Sequence, residues 1–361
     1  MRTALGRMHT PGLKDLAAAT GLHVMTVSRA LRSAGRMRPA TRQRVIEAAR
    51  RLDYRPDAAA AAMRTGRTGC IVLVGSLSPD APHLSPHALR GAVAAVAARG
   101  GYLAHACLPA DADVADAAAL PRALGRRLAE GLLLDGAHDL PAHFESFLRR
   151  HGLPAVWLDR KRRANAVHPD DAGAGRRVTE QLLALGHRRI AFVRLVRAAD
   201  AHRRREREHA ADRQAGYEAA MRAAGLRPDV QVYDRHGDDR SAPVEARAQS
   251  VAAAYADPER RPTAAVVCRD GSVFLLLLQH LGLRAPRDIS LVSFTTCPAS
   301  AAEQTVSWVP LPLEEMGRRA VEMLYRLVDG GRRETAAIAV PYGAIASPHT
   351  IGPPPPSARQ G

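Results

Sequence analysis

Arginine and histidine carry most of the chemistry this chain can offer, and the arginines are unevenly placed. The stretch Val24-Met-Thr-Val-Ser-Arg-Ala-Leu31 reads as a short helix. Val27 and Leu31 form its apolar side, and Met25, Ser28, Arg29 and Arg32 lie on its polar side. An arginine shown on such a face can donate two parallel hydrogen bonds to a guanine edge. Of the 52 basic residues only Lys14 and Lys161 are lysine, and alanine is abundant, a bias that a GC-rich genome produces. The position of the charge is therefore more informative than the total of +16. Residues 1–65 hold 13 basic side chains against four acidic ones, a net +9, while the remaining 296 residues carry +7. A basic N-terminal segment of this kind suits a polyanionic partner.

Other chemistries find little support. Cys70, Cys107, Cys268 and Cys297 include no CxxC pair, so neither a zinc knuckle nor a thioredoxin-like motif is present, and the four are expected to be buried thiols. Gly173-Ala-Gly175 has no third glycine and no following Lys-Ser/Thr, and reads as a helix N-terminus rather than a phosphate loop. His83 and His87 are four apart, but Pro82 and Pro86 make the segment irregular and no third ligand has suitable spacing, so no metal is expected. GxSxG, HExxH and P-loop motifs are absent. No catalysis and no cofactor are expected. The charged run at residues 202–209 reads as a solvated loop before a helix. No apolar run reaches the roughly 18 residues of a membrane span, and the N-terminus has no apolar signal segment. The expected location is the cytoplasm.

These residues must be positioned by two kinds of structure. Residues 11–65 show short helical patterns without strand signals. Leu13, Leu16 and Ala17 share one helical face, Gly21 supplies a left-handed turn, and Pro39 opens a third helix carrying Val45, Ile46, Ala49 and Leu52. A helix, a tight glycine turn and a second helix make a helix-turn-helix unit, whose second helix enters the major groove. Residues 70–345 instead alternate β-rich runs with helical stretches. The runs are 70–74, 131–134, 155–158, 189–193, 264–268 and 290–294; the helical stretches are 86–99, 173–185, 213–224 and 273–281. Alternation over about 275 residues implies an α/β module of two lobes with parallel sheets.

The N-terminal segment resembles the lactose-repressor (LacI/GalR) family. The matching residues are Asp15-Leu16-Ala17, Thr20-Gly21-Leu22, Thr26-Val27-Ser28-Arg29-Ala30-Leu31, Thr41-Arg42, Val45, Ala48-Ala49, Leu52 and Tyr54-Arg55-Pro56. By that resemblance Val24, Met25 and Arg29 take base-reading positions. Thr26, Ser28 and Arg32 take phosphate-contacting ones, and Arg38 adds a phosphate contact where the family often has Ser. His23 replaces the usual capping serine. Residues 57–66 match the family's hinge helix, with Met63 at the position of the leucine that wedges into the minor groove. The resemblance continues through Gly131–Gly136, Gly152–Arg160, Gly186–Phe192, Arg213–Tyr217 and Asp288–Phe294. It implies a headpiece over 10–56 and a periplasmic-binding-protein-like module over 69–346. The N-lobe would comprise 69–167 and 297–329, the C-lobe 168–296 and 330–346, and a disordered tail would follow over 350–361.

The same resemblance places a small-molecule effector in the cleft between the lobes. Asp159 and Arg213 match pocket positions. Arg269 stands where the family has Asn, Thr295 where it has Asp, and a stacking aromatic is missing near Gly237-Asp238-Asp239. Thr for Asp and Arg for Asn make the local charge more positive, and two arginines in the cleft, Arg213 and Arg269, suit a sugar acid or sugar phosphate. The implied protein is a dimeric transcription regulator, most simply a repressor, acting on a near-palindromic operator, with a tetramer open. Alternatives are a constitutive regulator with a decayed pocket, a solute-binding protein, or an enzyme on the same scaffold.

Overall fold

In the computed structural model the described residues are 11–31, 37–55, 66–76, 85–108, 128–136, 140–141, 143–196, 204–234, 244–301, 303–331 and 334–356. The chain divides into two compact units, Met1–Gly69 and Cys70–Gly361.

The first unit is a three-helix bundle of α1 (Leu13–Thr20), α2 (Val24–Leu31) and α3 (Pro39–Arg51). Asp15 accepts from the Gly12 N–H at 2.7 Å and fixes the start of α1. Gly21 ends it at φ 64°, a conformation glycine adopts without penalty. Leu16, Val27, Ala30 and Val45 form a small buried core, sealed by Leu13, Leu22, Leu52 and Tyr54. Arg32, Met63 and the remaining hinge positions 57–65 lie outside the described residues.

The second unit holds two parallel sheets. The elements of the N-lobe are β1 (Cys70–Ser76), α4 (Pro86–Ala97), β2 (Tyr102–Leu108), β3 (Gly131–Asp135), α5 (Phe144–His151), β4 (Ala155–Leu158) and β5 (Ala166–Pro169). The C-lobe follows with α6 (Asp171–Ala184), β6 (Ile190–Val196), α7 (Arg204–Ala223), β7 (Asp229–Asp234), α8 (Val244–Tyr255), β8 (Ala264–Val267), α9 (Gly271–His280) and β9 (Ser290–Thr295). The short β10 (Ser300–Ala301) and β11 (Gln304–Thr305), then β12 (Ser307–Pro310), α10 (Leu313–Gly330) and β13 (Ile338–Val340), complete the set. Strand order is β13-β5-β4-β3-β1-β2 in one sheet and β12-β9-β8-β6-β7 in the other. Alternate residues of each central strand enter different cores: Ile71 and Leu73 pack with α4 and α10, Val72 and Val74 with Phe144 and Leu148 of α5. Both faces are covered, which is why these strands read as continuous apolar runs.

Several expectations need correction. The lobe boundaries shift: β12 belongs to the C-lobe sheet and β13 to the N-lobe sheet. The chain therefore crosses between lobes near residues 170, 311 and 341. Strands β2, β5, β7, β12 and β13 were not among the expected runs, being edge strands or four residues or fewer. The tail is ordered through its first residues. Thr350 is fully buried, with its hydroxyl donating to the Leu291 carbonyl at 2.6 Å and accepting from the Ser307 N–H at 2.8 Å. Ser290 Oγ and a ring nitrogen of His187 bond the Gly352 carbonyl at 3.0 and 2.8 Å. Polar pairing overrides composition here, and residues 357–361 lie outside the described set. Cys70 and Cys268 are buried as expected, whereas Cys107 is half-buried and Cys297 exposed.

Candidate nucleic-acid interface and ligand cleft

Helix α2 turns Val27 and Ala30 into the bundle and Met25 and Arg29 outward, Met25 being 61% exposed. Val24, Thr26 and Ser28 are half-buried beside them, and Arg38 is exposed at the start of α3. Val24, Met25, Ser28 and Arg29 follow the i, i+1, i+4, i+5 spacing of one helical face. His23 precedes the helix, and its Nδ1 accepts from the Met25 N–H at 3.3 Å. The imidazole thus does part of a serine's capping work, with a longer bond than is usual.

In the second unit, Asp159 and Asp270 follow the C-terminal ends of β4 and β8. Both have left-handed backbones, at φ 65° and 61°. Non-glycine residues in this region concentrate at binding sites. Asp159 and Arg213 do not touch directly; two residues absent from the sequence expectation join them. His209 Nε2 lies 3.4 Å from Asp159, and its Nδ1 lies 2.6 Å from Asp171 Oδ2. Asp171 Oδ1 accepts from Arg213 Nε at 2.6 Å and from the Tyr342 hydroxyl at 2.6 Å. Arg213 also donates to the Cys268 carbonyl and to Tyr342 Oη, each at 2.9 Å, and stacks 4.8 Å from the Phe294 ring centroid. The guanidinium is buried with its charge paired.

Helix proximity makes this possible. A side chain at Gly175 would overlap the Arg213 carbonyl, and one at Gly216 would overlap the Ala172 carbonyl. The two glycines let α6 and α7 meet backbone to backbone, which sets Arg213 against Asp171. Electrostatics follow from burial and pairing. Burial alone would raise the Asp171 carboxyl, but Arg213, His209 and Tyr342 outweigh it and lower the pKa to about 2. Burial would likewise keep His209 neutral, yet Asp159 and Asp171 raise its pKa to about 9, so it is an imidazolium at neutral pH.

Arg269 and Thr295 stand apart from this network. Arg269 Nε lies 3.7 Å from Asp270, with the side chain 30% exposed. Thr295 ends β9, and its carbonyl accepts from the Leu311 N–H at 3.2 Å. A two-arginine anion clamp is therefore not what the geometry shows, because Asp171 already neutralises Arg213. Gly237-Asp238-Asp239 and His83 lie outside the described residues. The charged run at 202–209 is corrected as well: α7 begins at Arg204, and His209 is only 17% exposed. Its position four residues before Arg213, on the same helical face, is the signal that could have revealed it.

The two lobes meet across this network. Lys161 of the N-lobe bonds Asp212 of α7 at 2.7 Å, beside the Asp159–His209 pair. The space between Asp159, His168, Asp171, Glu208 and His209 is about 10 Å3, barely one water.

Residues 12–57 match the family model of bacterial regulatory proteins of the lacI family, and residues 179–346 match a periplasmic binding protein-like domain. The chain thus carries a lacI-family DNA-binding domain followed by a periplasmic-binding-protein-like domain. It is 28% identical over 350 residues to the HTH-type transcriptional regulator CelR of Thermobifida fusca, covering 92% of this chain and 96% of that protein. Identity to the HTH-type transcriptional regulator Rv3575c of Mycobacterium tuberculosis is also 28%, over 87% and 90% of the two chains. A lac repressor dimer bound to operator and an anti-inducer shares the fold at TM-score 0.64 and 20% identity, over 95% of this chain and all of that one. By these matches the chain is a DNA-binding transcription regulator, and the relatives it matches are regulators and not enzymes. Among its described residues no helix is long and apolar enough to cross a membrane.

Proposed function

We propose that this regulator represses transcription as a dimer on a near-palindromic operator, and that an effector in the interlobe cleft controls its affinity. The observation that carries the reading is the outward Met25–Arg29 face of α2 in a basic headpiece. Arg29 would read a guanine edge, Met25 and Val24 would make apolar contacts, and Thr26, Ser28, Arg32 and Arg38 would meet phosphates. Met63 would act as the minor-groove wedge.

On the effector side, Asp159, Arg213, Arg269 and Thr295 remain the proposed pocket positions, with distinct tasks. Arg213 would hold Asp171 and Tyr342 in place rather than grip ligand charge. Asp159 would exchange its His209 partner for ligand hydroxyls as the lobes part. The acids Asp159, Asp171, Glu208 and Asp212 around this space stand beside Lys161 and the His209 imidazolium, and such mutually paired charges favour a neutral, sugar-like ligand. A solved transcriptional regulator CelR–cellobiose complex shares the fold at TM-score 0.56 and 24% identity. Arg269, one-third exposed at a strand end, favours the second reading of a sugar acid or sugar phosphate.

Footprinting of DNA upstream of neighbouring genes, with neutral sugars and their acid or phosphate derivatives, tests both. The expected result is one protected, two-fold symmetric site released by a sugar. Protection that no effector changes would favour constitutive binding with a decayed pocket. Loss of response in Arg269→Ala only toward charged derivatives would favour the anionic reading.

A further inference from the structure

A second cavity lies away from the Asp159–His209 space. It has a volume of about 250 Å3 and sits between α6, β12 and the chain crossing at 342–345. Ala174, Val178, Val309 and Ile345 give it apolar walls, and Arg177 stands at its edge. The size lies just below the roughly 300–1,000 Å3 of drug-sized pockets, so a smaller molecule fits.

Arg177 is poorly provided for. Its Nη1 reaches Asp170 only at 3.6 Å, and its Nη2 is shielded from solvent without a hydrogen-bond partner, while the side chain as a whole is 40% exposed at the cavity edge. A buried guanidinium nitrogen without an acceptor is unfavourable, and each instance in a native fold calls for a reason. Arg213 makes the contrast: it shows the same cation on the same helix pair with its Nε and both terminal nitrogens bonded. Arg177 can therefore turn to an incoming acceptor at little loss, and a carboxylate would complete it bidentately.

We propose that this cavity is a second small-molecule site, separate from the cleft, for a compact monoanion with an apolar body. The body would lie on Val178, Val309 and Ile345, and the carboxylate on Arg177. Tyr342 lines the cavity while its hydroxyl bonds Asp171 and Arg213, so the site shares a wall with the cleft network at the third crossover.

Benzoate is the probe, titrated calorimetrically into the full-length protein, with benzyl alcohol as the uncharged control. A Kd of roughly millimolar or tighter is expected, as about nine non-hydrogen atoms allow. Arg177→Gln should weaken benzoate binding roughly tenfold, the scale of one charge-assisted bond. Ala344→Trp, at an exposed position on the cavity wall, should abolish it without disturbing the buried core. Arg269→Gln in the cleft should leave it unchanged. Absence of binding to the wild-type protein would overturn the proposal. So would equal binding of benzyl alcohol, or loss of binding in Arg269→Gln with retention in Arg177→Gln. This outcome does not depend on whether a sugar binds in the cleft.

Discussion

The headpiece and the C-lobe use arginine in opposite ways. Arg29 projects from α2 into solvent, and Arg213 is buried beside Asp171 with an aromatic ring beneath it. An exposed guanidinium keeps its donors for a partner that arrives later. A buried one is fixed by its neighbours, and its role is to fix them in turn. The same residue type is therefore presented for the proposed DNA contact in one unit and fixes its neighbours in the other. Sequence position alone does not say which.

The largest expected effect lies on the buried side. Arg213→Ala removes the guanidinium partner of the buried Asp171, leaves it only His209 and Tyr342, and should destabilise the second unit by about 3 kcal/mol. Urea unfolding of the wild type and variant checks this. The double variant Asp171→Leu with Arg213→Met should lose less than Arg213→Ala, since apolar replacement removes the unpaired charge. A near-neutral Arg213→Ala would break the comparison and return Arg213 to the list of ligand contacts.

The exposed side should respond in binding and not in folding. Arg29→Ala should cost about 1–3 kcal/mol at one base pair of the operator and relax specificity there. Arg32→Ala should weaken binding on all sequences and flatten the salt dependence. Operator and random DNA titrated at several salt concentrations separate the two. Equal losses on both DNAs for Arg29→Ala would remove its base-reading role.

How legible each side was follows from the same contrast. The headpiece was readable because its helices are local: Leu16, Val27 and Val45 recur at helical spacing, and Gly21 marks the turn. The central strands were readable because both of their faces are buried. The cleft network was not, because Asp171, His209 and Tyr342 lie far apart in sequence, up to 171 positions for the Tyr342–Asp171 bond. Only the α6–α7 approach permitted by Gly175 and Gly216 brings Asp171 to His209 and Arg213, which share α7. The lobe boundaries slipped for a related reason. A three-residue strand such as β13 carries too little pattern to show which sheet it joins.

A smaller effect concerns pH. The His209 pKa is raised from its ordinary 6.5 to about 9, so its stabilisation is fully present below about pH 6.5 and is lost as pH rises through 9. Asp171, lowered from 3.8 to about 2, works the other way: its contribution is present above pH 3.8 and is lost as pH falls through 2. Between these limits the Asp159–His209–Asp171 chain ties the lobes together. Thermal unfolding should show a decline on the alkaline side that His209→Gln abolishes, on the order of 2 kcal/mol. An alkaline decline of equal size in the variant would assign it to other groups. The headpiece, where no comparable buried histidine occurs among the described residues, should not share this profile.

The smallest effect tests the headpiece on its own terms. His23 caps α2 through a 3.3 Å bond from the Met25 N–H to its Nδ1. That bond uses Nδ1 as its acceptor. Serine offers an acceptor oxygen at every pH and a shorter reach, and its cap is worth about 0.5–2 kcal/mol over a residue that cannot cap. Since His23 already supplies part of this, His23→Ser should stabilise the headpiece by only about 0.5 kcal/mol at neutral pH. Helix α2 carries Arg29 and Met25, so a firmer N-terminus should also tighten operator binding slightly. Amide exchange at Met25 and Thr26 in the two proteins measures the cap directly. Faster exchange in His23→Ser would show that the imidazole holds α2 by packing and not by its hydrogen bond.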